Sequence, residues 1–138
     1  MYSSSDMEKA VETMLAEHVR KIGISERTKG WKFLNAGMKK AVDDETMLCD
    51  LSGRFYPMLA EMFDTTDAKV KKSIRSAIIS GWDRRDKEFA DVLFGKFDFD
   101  DLTPPSNSFV ICTIADRVRL SCHELYLHPG QKSSFVKL

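Results

Sequence analysis

Between Thr65 and Arg85, six basic side chains (Lys69, Lys71, Lys72, Arg75, Arg84 and Arg85) are opposed by only two acids, Asp67 and Asp83. Ammonium and guanidinium groups carry donors and no acceptors, so this chemistry suits phosphate oxygens and the O6 and N7 acceptors of guanine. At about 100° per residue, a helix through this stretch gathers Val70, Ile74, Ala77, Ile78 and Gly81 on one face. Ala68, Lys72, Arg75 and Ile79 then fall on the opposite face, with Lys71 and Ser76 on its flanks. Thr66 is a suitable N-cap, and Asp67 places an acid in the first turn. The unpaired N–H groups of such a helix start also suit a phosphate.

Positioning those donors falls to a short preceding helix, Pro57 to Phe63, and a tight polar turn, Asp64 to Thr66. Together they span about the length of a helix-turn-helix, here over residues 57–82. That motif needs a small residue where its helices approach, and Ala60 fills the position. It needs inward β-branched residues on the second helix, and Val70 and Ile74 supply them. A helix so held can lay its outer side and first turns in a major groove. The same pattern also describes an amphipathic hairpin with solvated charges, and the spacing alone leaves both readings open.

Helical periodicity extends over most of the chain. Met7, Val11, Met14, Leu15, His18, Val19 and Ile22 predict a helix from about Asp6 that stops at Gly23. A second begins near Lys29-Gly30, carries Trp31, Leu34, Met38 and Ala41 inward, and closes at Asp43-Asp44. A third is expected from Glu45 to Phe55, with a kink or break at Tyr56-Pro57 because the residue before a proline resists the α region. Further helices are expected from Lys87 to Phe94, ended by Gly95, and from a Ser or Asn cap at 106–107 to about Leu120. Lys96 to Ser106 reads as a loop and 121–138 as a flexible tail. With no strand pattern, the expected fold class is all-α, roughly six helices in one domain over residues 1–120.

The bulk properties narrow the function further. The chain has 138 residues, 43% hydrophobic and 30% charged, which fits one soluble domain able to bury a core without disulfides or metals. No apolar run reaches the ~20 residues of a membrane span, and the N-terminus lacks the pattern of a signal peptide. Three cysteines at unrelated spacings point to a reducing, cytoplasmic setting. Twenty-one basic and twenty-one acidic residues cancel, so the basic excess at 65–85 is balanced elsewhere, at Asp43-Asp44-Glu45 and at Asp98, Asp100 and Asp101.

Other chemistry finds little support. Cys122-His123 with His128 lacks the paired spacing of a zinc site. Phe97-Asp98-Phe99-Asp100-Asp101 lacks the glycine and the twelfth-position glutamate of an EF-hand. His18 reads as a packed or hydrogen-bonded core histidine, and the methionines as core filler. No phosphate loop, nucleophile elbow or metalloprotease motif is present, so neither an enzyme nor a cofactor is expected.

The residues Lys29-Gly-Trp-Lys-Phe-Leu, Tyr56-Pro57, Thr65-Thr66, Ile74-Arg75, Trp82, Leu93-Phe94-Gly95 and Asn107-Ser108 form a more specific set. Together with Ala115-Asp116-Arg117-Val118-Arg119-Leu120, they resemble the C-terminal DNA-binding effector domain of the sporulation initiation response regulator. The resemblance covers roughly two-thirds of the chain and implies an all-helical domain that binds a short promoter element. It further implies tandem or homodimeric binding on double-stranded DNA and a neighbouring surface that touches an RNA polymerase sigma factor.

The family's base-reading positions fall at Lys71, Lys72 and Arg75. Arg75 agrees with the family pattern, whereas Lys71-Lys72 stands where that pattern has Glu-Arg. A lysine cannot accept from cytosine N4 as a glutamate can, so a changed preferred sequence is expected. The 138 residues leave no room for the family's phosphorylated receiver domain of about 120 residues. The expectation is either a stand-alone effector, beyond phosphorelay control in cis, or a trimmed piece of a longer protein.

The sequence reading is therefore a cytoplasmic, sequence-specific DNA-binding regulator of transcription. Lys71, Lys72 and Arg75 are its base-contacting candidates, and Lys69, Ser76, Thr66, Arg84 and Arg85 serve phosphate or rim contacts. The alternative is a helical interaction module that kept the fold and lost specific DNA binding. An open basic face on residues 69–75 favours the first, and a covered one favours the second.

Overall fold

The computed structural model describes residues 4–95 and 103–123. It is all-α: seven helices and no strand occur among the described residues. They are α1 (Ser4–Lys21), α2 (Lys29–Asp43), α3 (Thr46–Cys49), α4 (Tyr56–Met62), α5 (Asp67–Gly81), α6 (Lys87–Phe94) and α7 (Asn107–Cys122). Six of these have seven residues or more, in keeping with the expected count.

Four helices start where a short polar side chain takes an otherwise unpaired N–H. Thr28 accepts from the Trp31 amide at 3.2 Å, Thr66 from Lys69 at 3.3 Å, Asp86 from Phe89 at 3.1 Å and Ser106 from Phe109 at 3.1 Å. α1 and α6 run out into Gly23 (φ +98°) and Gly95 (φ +85°), a left-handed backbone that glycine adopts without a Cβ penalty.

α2 lies at the centre, packed against α1, α5 and α7, while α4 packs on α5. Leu15 and Val19 of α1, Leu34 and Met38 of α2, Ile74 and Ile78 of α5, and Ile111 and Ile114 of α7 are buried in one continuous core. α2 and α5 cross tightly at Gly30, where an added Cβ would stand 2.4 Å from the Ala77 Cβ and 2.7 Å from the Ser73 carbonyl oxygen. Burial of Gly30, together with Phe33 and Leu34, thus brings the first turn of α2 hard against the middle of α5.

The middle of the chain corrects one expectation. The non-helical break comes at Asp50 (φ −149°, ψ +80°), whereas at Tyr56-Pro57, where α4 begins, the backbone stays helical. The Asp50 carboxylate accepts the Gly53 amide at 2.9 Å, and a wide π-type turn, Leu51–Phe55, leads straight into α4. Tyr56 is helical (φ −65°, ψ −43°) despite the proline after it. Pro57 sits in the first turn of α4, where its missing N–H costs little, and the buried Phe55, Tyr56 and Leu59 reward the helical path.

α7 also outlasts its expected end by two residues. Cys122 is buried, with its sulfur 3.9 Å from that of Met14, so residues 121–122 belong to the helix. Residues 103–106 are non-helical, as the two prolines predict, and Pro104 and Pro105 are buried. The rest of the predicted loop, with Asp98, Asp100 and Asp101, and the predicted tail from residue 124, with His128, lie outside the described residues.

Candidate nucleic-acid interface

α4, a four-residue turn and α5 form the expected hairpin. In the turn after α4, Asp64 lies in the left-handed region (φ +52°), and the Thr65 amide donates back to the Ala60 carbonyl at 2.8 Å. This 6→1 closure satisfies a carbonyl at the helix end and fixes the angle at which α5 departs. Ala60 is buried, as expected for a small residue at the crossing.

On α5 the inner face is the expected one: Val70, Ile74, Ala77, Ile78 and Gly81 are all buried. Ala68, Lys69, Lys71, Lys72, Ser76 and Ile79 are exposed on the other side. Thr66 is exposed too, with its hydroxyl oxygen committed to the Lys69 amide.

Arg75 is placed differently from its lysine neighbours. It is half-buried, and its Nη1 donates to the Pro105 carbonyl at 2.7 Å. One turn earlier, the Asn107 side-chain amide donates to the Lys71 carbonyl at 3.2 Å. The segment leading into α7 therefore props one edge of α5 and holds the Arg75 guanidinium against it. Burial raises the pKa of the Tyr56 phenol, which lies 3.5 Å from the same Asn107 amide, so this support is neutral.

Arg84 and Arg85 are set apart from the lysines. Arg84 donates to the Ser80 carbonyl at 2.9 Å and to the Gly23 carbonyl at 3.2 Å. Arg85 donates to the Trp82 carbonyl at 2.7 Å, with its guanidinium 4.3 Å above the Trp82 ring. Both side chains secure the end of α5, and Arg84 ties it to the turn between α1 and α2.

Two basic residues were missed by the sequence reading. Lys29 and Lys32, on the first turn of α2, line a cleft of about 450 Å3 together with Lys69 and Lys72 of α5. Its remaining walls are Phe33, Phe63, Asp64, Thr65 and Ser73. Phe33 and Phe63 meet edge to face at 5.2 Å, which leaves Phe63 partly exposed. Asp64 is the one carboxylate beside four ammonium groups, and among the described residues none of the four lysines is ion-paired. The cleft lies beside the close approach of Gly30 to Ser73 and Ala77. The Lys29–Lys32 spacing hints at one helix face, but nothing in the sequence says that this face meets α5.

Among the described residues, no group of three or more His, Cys, Asp or Glu side chains could hold a metal ion, and no helix is long and apolar enough to cross a membrane. His18 donates from Nδ1 to the Met14 carbonyl at 2.7 Å and meets Phe89 edge-on at 5.2 Å, the packed and hydrogen-bonded histidine expected. The family described as sporulation initiation factor Spo0A C terminal matches residues 15–118, from the middle of α1 to the last turns of α7, and takes in the hairpin, the cleft and the segment that props Arg75. The chain belongs to the family of sporulation initiation factor Spo0A C-terminal domains.

Proposed function

We propose that this domain binds double-stranded DNA sequence-specifically, with α5 in the major groove of a promoter element, and regulates transcription without being an enzyme. The observation that carries this reading is the exposed basic side of α5. Lys69, Lys71, Lys72 and Ser76 stand clear of the core within its first three turns, behind a tight turn. Membership of a transcription-factor domain family supports it. Lys71 and Lys72 are the leading base-contacting candidates, with Arg75 beside them at the α7-side edge of the helix. Ser76 and Thr66 serve the rim, while Arg84 and Arg85 contribute mainly by fixing the end of α5. The reading extends to tandem or homodimeric binding on adjacent elements, to contact with an RNA polymerase sigma factor, and to action in the cytoplasm.

Selection from a pool of random duplexes, followed by titration of the winning sequence and a scrambled control across a salt series, tests the proposal. The expected result is tighter binding to the winner, with a log-log salt slope near −4 for about four phosphates neutralised. Equal affinity for both duplexes removes sequence specificity. Absence of binding to either at low salt favours an interaction module that retains the fold.

A further inference from the structure

We infer that the four-lysine cleft between α2 and α5 is the seat of a DNA backbone phosphodiester beside the bases that α5 reads, and that Lys29 and Lys32 are therefore DNA-contacting residues. This inference rests on the DNA reading above and adds a second wall to the interface.

The argument begins with charge. Lys29, Lys32, Lys69 and Lys72 converge from two helices on one concavity that contains a single carboxylate, Asp64. Exposed ammonium groups gathered on one concavity repel one another, an effect that water and salt weaken and a bound anion relieves. Elsewhere in this molecule a lysine is matched by acids: Lys39 reaches Glu8 at 2.9 Å and Glu12 at 2.6 Å. The cleft is instead a local excess of three positive charges in a chain of net charge zero.

Geometry then selects the ligand. The cleft is continuous with the exposed side of α5 through Lys69 and Lys72, which belong to both. A helix placed in a major groove about 12 Å wide has a phosphate strand along each of its flanks. One flank of α5 is occupied by the segment leading into α7, through the contacts of Pro105 and Asn107. The other is the α2 side, where Ser73 meets Gly30 and the lysines stand. A strand following that side meets Lys69 and Lys72 from α5 and Lys29 and Lys32 from α2. Phosphate contacts of this kind fix register without reading sequence. On this assignment Lys69 and Lys72 divide their work between groove and backbone, and discrimination concentrates at Lys71, Arg75 and the centre of the outer face.

The test uses the full chain and the duplex won by selection, with a scrambled duplex beside it. Lys29→Gln/Lys32→Gln is compared with the unaltered protein and with Lys9→Gln, which removes an exposed charge on α1 away from the cleft. The double variant should bind both duplexes more weakly by the same factor, with a salt slope shallower by about 2. Lys9→Gln should change neither. Circular dichroism melting confirms that the variants fold. An unchanged affinity and slope in a folded double variant, while the unaltered protein still prefers its selected duplex, overturns this inference alone. A loss confined to the selected duplex also overturns it, by making the α2 lysines base readers. Binding of inorganic phosphate or a nucleotide that the double variant loses, with duplex affinity unchanged, assigns the cleft to a soluble anion. If the unaltered protein binds no duplex at all, the DNA reading itself falls, and this assignment with it.

Discussion

On the DNA reading proposed above, Arg75 would serve two ends at once. Its Nη1 donates to the Pro105 carbonyl, which orients the guanidinium, and the other donors would be left for a base edge. Replacing it by alanine should cost about 1–3 kcal/mol on the selected duplex and relax discrimination at one base pair. The same variant should lose about 0.5–1.5 kcal/mol of folding stability through the missing bond to Pro105. Duplex titrations with single-base changes, set beside a melting curve, separate the two effects; equal losses on selected and scrambled DNA would sink the base-reading role. His18 gives a second residue-scale prediction. Burial is the largest influence on it and lowers its pKa, more than the Met14 carbonyl raises it. The unfolded chain therefore binds the proton more readily than the folded one. Stability should be full above the unfolded histidine value of about 6.5 and fall as pH drops through it. Melting temperatures between pH 7.5 and 5.5 should show this decline, and His18→Gln should flatten it. The packing of His18 was legible because it shares a helical face with Leu15 and Val19. The hold on Arg75 was not, since its partner lies thirty residues away, beyond α6.

At the scale of elements, sequence and structure agree wherever a local signal decides. The Thr66 and Ser106 caps, the Gly23 and Gly95 stops and the inner face of α5 are all matters of nearest neighbours and period. Disagreement comes where burial overrides a local preference. Tyr56 stays helical before Pro57 because Phe55 and Leu59 on either side of that pair are wholly buried. The cleft was likewise invisible, because it follows from the crossing of α2 and α5 rather than from either helix. That crossing makes a testable claim about Gly30. Gly30→Ala would normally help a helix, yet here its methyl meets the Ala77 side chain and the Ser73 carbonyl. It should destabilise by about 1–3 kcal/mol, and Ala77→Gly should recover part of the loss. Chemical denaturation of the single and double variants measures both. A Gly30→Ala protein at least as stable as the parent would mean that α2 and α5 cross less tightly than described. The lysine cleft beside that crossing would then be shaped differently.

Across the whole molecule, the zero net charge has a consequence for how DNA is found and held. A uniformly basic protein attracts DNA from all sides; on the proposed reading the attraction here is carried by one side of α5 and the cleft beside it, so affinity should depend on how well that surface is presented. Presentation depends in turn on the shared core, because the α4–α5 hairpin has no core of its own. Its buried residues Leu59, Val70, Ile74 and Ile78 belong to the same cluster as Leu34 and Met38 of α2 and Ile111 and Ile114 of α7. A change in α7 should therefore reach the interface without touching it. Ile114→Ala, at a fully buried position, should cost about 2–5 kcal/mol and lower the melting midpoint. Helicity by circular dichroism and tryptophan fluorescence should fall together, because Trp31 starts α2 and Trp82 ends α5 while both pack on the common core. Where the variant is still folded, its salt slope on DNA should match that of the parent, since no cation has moved. Two separated transitions would show that the hairpin folds as its own unit. The prop from Pro105 and Asn107 would then be a contact between neighbours and not part of one cooperative scaffold.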